Sequence, residues 1–262
     1  GDSGENGFDT ATEHSVGEAA ALCSEWGGFA CAAHPFERPS PAERLILNRG
    51  TWTQGDLITP GIGGMQVYNG VRDRGLTDGK TAWLRLLSEG RRITAVGGSD
   101  SHGDFNRRRR ISVPFVSVGE SLDHTLGSVR TAVFAETSSP ESILESLRSG
   151  RAVVTDGPFI VLVVSCAGAV ARPGDCSAAG ESSVTIAHCS SAPFGGIKNI
   201  RLYALLSGGS SERVLHSWES TYDFTAGEIM IRTDTSGMRY LRAECCTDAG
   251  RECFTNPVWI TV

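Results

Sequence analysis

Two short segments of this 262-residue chain carry side chains suited to holding a cation. Ala33-His34-Pro35 closes a short apolar run at 29–33, and Asp100-Ser101-His102 follows a second run at 93–96 through Gly97-Gly98-Ser99. Asp100 and His102 stand two apart, so in an extended segment both side chains point to one side. An imidazole and a carboxylate at one corner can share a divalent ion, and that donor set suits zinc, manganese or iron better than calcium. Such an ion makes a water nucleophilic near neutral pH and neutralises charge on a phosphoryl oxygen. Each motif alone is weak, because a histidine before proline is ordinarily a hydrogen-bonded core or loop residue. Two such motifs at successive strand ends bring the metal reading level with the ordinary one.

These loops need strands to carry them. Residues 15–26 read as a helix, with Ser15 and Glu18 at capping-box spacing and Gly27-Gly28 as the stop. Residues 65–68 read as a strand closing on Asn69-Gly70, residues 41–49 as a short helix, and 79–89 as a helix whose apolar side is Trp83, Leu84, Leu86 and Leu87. A strand at 131–135, a helix at 140–149 stopped by Gly150, and a strand at 151–155 follow. This alternation marks α/β architecture with parallel strands, in which functional groups gather where strands end. From Phe159 onward the pattern changes to apolar or alternating runs at 159–166, 183–189, 198–206, 228–233, 238–245 and 256–262. Short strands at turn-bounded spacing suggest a β-sandwich. The expected boundary lies at Asp156-Gly157-Pro158, dividing the chain into 1–156 and 157–262.

Composition narrows the classes. A net charge of −6 argues against nucleic acid as the main partner. No run approaches the ~18 apolar residues a spanning helix needs, and residues 1–7 are polar with no signal-peptide pattern. Six of the eight cysteines fall after position 160, and none is spaced as CxxC. That clustering favours disulfides and a periplasmic or secreted home. The alternative is buried reduced thiols in a cytoplasmic protein.

The strings GGFACAAHPF, MQVYNG and LLSEGRRITAVGGSDSHG resemble, in order, three blocks of the PHP (polymerase and histidinol phosphatase) superfamily. SPESILESLRSGRAVVTDGPFI and TNPVWITV resemble two later blocks of the branch that carries a C-terminal sandwich domain. The resemblance implies a distorted (β/α)7 barrel, a cluster of two or three metals and hydrolysis of phosphate esters. It implies metal-ligand roles for His34, Asp100 and His102, the last two also catalytic. The chain departs from the family where it lacks a His-x-His segment ahead of His34, and where Gln66 stands in place of a glutamate. The expected fold is therefore α/β plus all-β: the later part of a PHP-type barrel, then an immunoglobulin-like β-sandwich.

Asn69 is a candidate for orienting substrate or water. Arg107 and Arg108, directly after the GSDSHG loop, are candidates for clamping a substrate phosphate, although a charge run is more often a solvated face. The expected activity is metal-dependent hydrolysis of a small phosphorylated substrate, weakened because the divalent site is incompletely filled. The alternative is an inactive remnant whose sandwich binds a glycan or a protein. Half a barrel would expose two strand edges and so favour self-association.

Overall fold

The computed structural model describes residues 14–37, 52–101, 110–113, 116–119, 125–219 and 225–261. Helix α1 (Val16–Glu25) begins at the expected capping box, in which Ser15 and Glu18 bond each other's backbone N–H. Strand β1 (Ala30–Ala32), the single-turn helix α2 (Gln54–Leu57), strand β2 (Ile62–Asn69), helix α3 (Arg74–Ser88) and strand β3 (Thr94–Gly98) follow. The three strands form a parallel sheet in the order β1-β2-β3. Helix α3 starts at Asp73, whose side chain accepts from the N–H of Leu76. It packs Leu76, Trp83, Leu86 and Leu87 inward, and the Trp83 indole donates to the Ile93 carbonyl at 3.0 Å.

Parallel pairing then stops. Strands β4 (Arg110–Val113) and β5 (Val116–Gly119) make a separate antiparallel pair. Strand β6 (Arg130–Val133), helix α4 (Pro140–Ser149) and strand β7 (Ala152–Thr155) come next, and β6 runs antiparallel to β7 despite the helix between them. The remaining strands are β8 (Phe159–Cys166), β9 (Ala169–Ala171), β10 (Cys176–Ala178), β11 (Glu181–Cys189), β12 (Ile197–Leu206), β13 (Arg213–Glu219), β14 (Ala226–Asp234), β15 (Met238–Thr247), β16 (Glu252–Thr255) and β17 (Val258–Thr261). An eight-stranded mixed sheet runs β10-β17-β15-β16-β7-β6, with β12 paired to β15 and β13 to β12. A four-stranded sheet runs β14-β11-β8-β9. Strict alternation along β8 and β11 turns Ile160, Leu162, Val164, Val184 and Ile186 into a core shared with Leu202, Leu241, Ala243 and Cys253 of the larger sheet. On that sheet's other side, Val154, Tyr240, Phe254 and Trp259 join Trp83, Met65 and Ala95 in a second core.

The expected (β/α)7 barrel is therefore corrected: the chain forms several sheets, and no closed barrel exists among the described residues. The physical reason lies at β3. No strand pairs with its outer edge among the described residues. Side chains from the larger sheet satisfy that edge instead. The buried Asn256 amide accepts from the N–H of Ala95 at 2.8 Å and donates to the Ala95 carbonyl at 3.0 Å and the Ala152 carbonyl at 2.9 Å. The Thr131 hydroxyl accepts from the Gly97 N–H and donates to the Gly97 carbonyl, both at 2.8 Å. Gly97 has no alternative, because a Cβ there would lie 2.6 Å from Val154. One of the two edges expected to be bare is thus covered within the chain. The helix expected at 41–49 lies outside the described residues. No helix among those described is long and apolar enough to cross a membrane. All eight cysteines are free thiols.

A charged cluster fills the seam between α3 and the larger sheet. Arg242 is fully buried, bonds both carboxylate oxygens of Glu212 at 2.5 Å, pairs with Glu244, and stacks over Tyr203 at 4.4 Å. Burial works against the charged form of Glu244, but Arg242 and Lys80 outweigh it and hold the carboxyl at about 2. Glu252 is the opposite case. Burial, reinforced by Glu244 and Asp156, overrides Lys80 and Arg72 and raises its pKa, and its Oε1 has no hydrogen-bond partner.

Two stability outcomes follow from these contacts. Asn256→Leu strands both polar groups of Ala95 and should cost about 3 kcal/mol in denaturant unfolding. The raised pKa of Glu252 means that folding favours its neutral form. Its contribution is complete below the ordinary value of 4.5 and is lost as pH rises through the folded value. Glu252→Gln should therefore be more stable than the parent at pH 7 and lose that advantage near pH 4, as read by melting temperature across pH.

Candidate metal centre

The three parallel strands end at one corner. β1 runs out at Ala32 and the chain turns at His34-Pro35; β2 ends at Asn69; β3 ends at Gly98 and leads through Ser99 to Asp100. His34 and Asp100 both have left-handed backbone, with φ of 30° and 50°. Side chains with a Cβ avoid that region, and each such residue costs roughly 1–3 kcal/mol that its surroundings must offset. The turn at His34 is closed by the Glu37 N–H donating to the His34 carbonyl at 3.0 Å, while Phe36 packs against the α3 core.

The turn brings Glu37 back onto the imidazole. His34 Nδ1 lies 2.9 Å from Glu37 Oε2, both side chains being about 30% exposed. One ligand atom each from His34, Glu37 and Asp100 lies within 4.8 Å of the others. The hydrogen bond that the His34 ring donates to Glu37 raises the His34 pKa, partial burial opposes it, and the negative charges of Glu37 and Asp100 add to the rise. Beside the cluster, Gln66 Oε1 accepts from the His34 N–H at 3.2 Å, Gln66 Nε2 donates to Asn69 Oδ1 at 2.9 Å, and Asn69 Nδ2 donates to Asp100 Oδ2 at 3.2 Å. A shallow pocket lined by His34, Phe36, Glu37, Gln66, Asn69 and Asp73 opens there.

Of the residues singled out in the sequence, His34 and Asp100 meet as ligand candidates, and Asn69 joins them with its amide engaged on both sides. His102, Arg107 and Arg108 lie outside the described residues. Cys31, three residues before His34, is held as a neutral thiol, its pKa pushed up to about 12 by burial. Glu37 escaped notice in the sequence. Its signal was the His-x-x-Glu spacing in His34-Pro35-Phe36-Glu37, which becomes a shared site only when the chain reverses at His34. A single imidazole with two carboxylates, open toward a pocket, fits a divalent ion that keeps exchangeable positions.

No protein-family model matches the chain, and no curated protein matches it. Among solved structures, a hypothetical protein from Pyrococcus horikoshii OT3 is similar over 41% of this chain and 88% of that one, at 19% identity and a TM-score of 0.29. A score that low carries no argument about fold or activity.

If Glu37 is the main cause of the raised His34 pKa, Glu37→Gln should move it back toward the ordinary histidine value of 6.5. An NMR titration of the imidazole protons without added metal reads this directly. An unchanged midpoint would remove Glu37 from contact with the ring.

Proposed function

We propose that the chain is a metal-dependent hydrolase of phosphate esters, with His34, Asp100 and Glu37 as the protein groups that hold a divalent cation. The observation that carries this reading is the convergence of those three ligand atoms within 4.8 Å at the ends of parallel strands. The resemblance of the Ala33-His34-Pro35 and Gly98-Ser99-Asp100-Ser101-His102 segments to the PHP superfamily supports it, and adds His102 as a further ligand. Zinc, manganese and iron suit the donor set.

The chain's own groups have separable tasks. Glu37, whose Oε2 lies 2.9 Å from His34 Nδ1, orients the ring and adds negative charge at the site. Asp100 supplies negative charge that draws the cation in, and the Asn69 amide fixes its rotation. A bound divalent cation supplies a Lewis acid for the phosphoryl oxygen and lowers the pKa of a coordinated water. Arg107 and Arg108, next along the chain after the GSDSHG loop, serve as clamps for the substrate's remaining phosphate charge.

Hydrolysis of bis-p-nitrophenyl phosphate, with and without added manganese or zinc, tests this reading. Turnover should require the ion, vanish with chelator, and fall at least 100-fold in Asp100→Ala and His34→Ala. Ion binding should tighten as pH rises through the raised His34 value, because the ring must be neutral to donate. Absence of turnover under all these conditions sinks the hydrolase and returns the chain to a binding role for its β-rich part.

A further inference from the structure

We propose that Gln66 and Asn69 are positioning residues that hold His34 and Asp100 in ligating geometry through a one-way hydrogen-bond relay, and that Gln66 itself takes no place on the ion. This inference rests on the reading of the corner as a cation site.

Both ends of the relay have fixed polarity. At one end stands the backbone N–H of His34, which can only donate; at the other stands the Asp100 carboxylate, which when ionised can only accept. Asn69 must therefore aim Nδ2 at Asp100, which leaves its Oδ1 facing Gln66 and in need of a donor. Gln66 meets that need with Nε2, which turns Oε1 toward His34. Every link is 2.9–3.2 Å long and none can be reversed without facing acceptor against acceptor or donor against donor. The surroundings fit the amide closely, since a Cβ at Gly98 would lie 3.3 Å from Gln66 Nε2.

The two residues joined by the relay are the two non-glycine residues with left-handed backbone described at this corner. Three hydrogen bonds thus tie the turn after β1 to the turn after β3 by way of the strand between them. A glutamate at 66 could accept from His34 but could not donate to Asn69. Asn69 would then turn its Nδ2 to the new carboxylate and present Oδ1 to Asp100. The extra negative charge and the loss of relay polarity therefore act in opposite directions on cation affinity, and the relay determines the sign.

Cobalt(II) titration followed by visible absorption, on the full chain, separates the possibilities. The parent should take up cobalt with d–d bands, and Gln66→Glu should bind it at least tenfold more weakly, with displaced bands. Asn69→Ala should show a similar loss, and the double variant should be no worse than either single one, because each breaks the same relay. Melting temperatures recorded alongside isolate the role, since a merely structural pair would lower the melting point and leave the cobalt isotherm and spectrum of the folded protein unchanged. Equal or tighter binding by Gln66→Glu, or more ions per chain than in the parent, overturns the relay and makes position 66 a ligand site. Cobalt uptake without phosphoester turnover would reject the hydrolase yet keep the relay, whereas a parent that binds no cobalt rejects both.

Discussion

The molecule turns on one buried amide. Asn256 gives the outer edge of β3 the acceptor and the donor that a neighbouring strand would otherwise supply, and its second donor contact, to the Ala152 carbonyl, lies in the larger sheet. An unpaired backbone group costs far more when buried than the same group costs in water, so a parallel sheet of three strands cannot press this edge against an apolar layer without such a partner. Once it is satisfied, Ala95 and Val154 can share one core with Trp83 and Phe254. The small α/β layer is thus completed by the β-rich part of the chain and does not close on itself.

Charge is handled differently on the two sides of that layer. Along the seam with the larger sheet, Arg242, Glu212, Glu244 and Lys80 neutralise one another at close range, and the arrangement reads as support for packing. At the strand ends, the carboxylates Glu37 and Asp100 gather about one imidazole.

The legible parts of the sequence were those with local causes. An apolar run identified β8 to within its observed bounds, and Ser139, Pro140 and Gly150 delimited α4, whose cap at Gly150 is left-handed as such a stop requires. Helix α3 begins five residues ahead of its expected start, at Arg74 and not at 79, because Gly75 and Gly79 argue against a helix. Gly79 is kept for closeness: a Cβ there would meet the Val67 carbonyl at 3.0 Å. Strand direction was not legible. The segments around Thr131 and Val153 have the composition of parallel strands flanking a helix, and only long-range pairing of Val154 with Phe254 makes them antiparallel members of another sheet. At the corner, His34 and Asp100 stood out by type and spacing. Glu37 and the role of Gln66 depend on a reversal of the chain that no local pattern announces.

The backbone at His34 and Asp100 adopts a conformation that their own side chains do not favour. At φ of 30° and 50° a glycine would rest more easily than either residue, and would bring nothing that could touch an ion. A sequence shaped by stability alone would drift toward glycine or asparagine at both bends. An imidazole and a carboxylate occupy them instead, side chains that tolerate this region better than most but less easily than glycine, and both are aimed by it at the same corner.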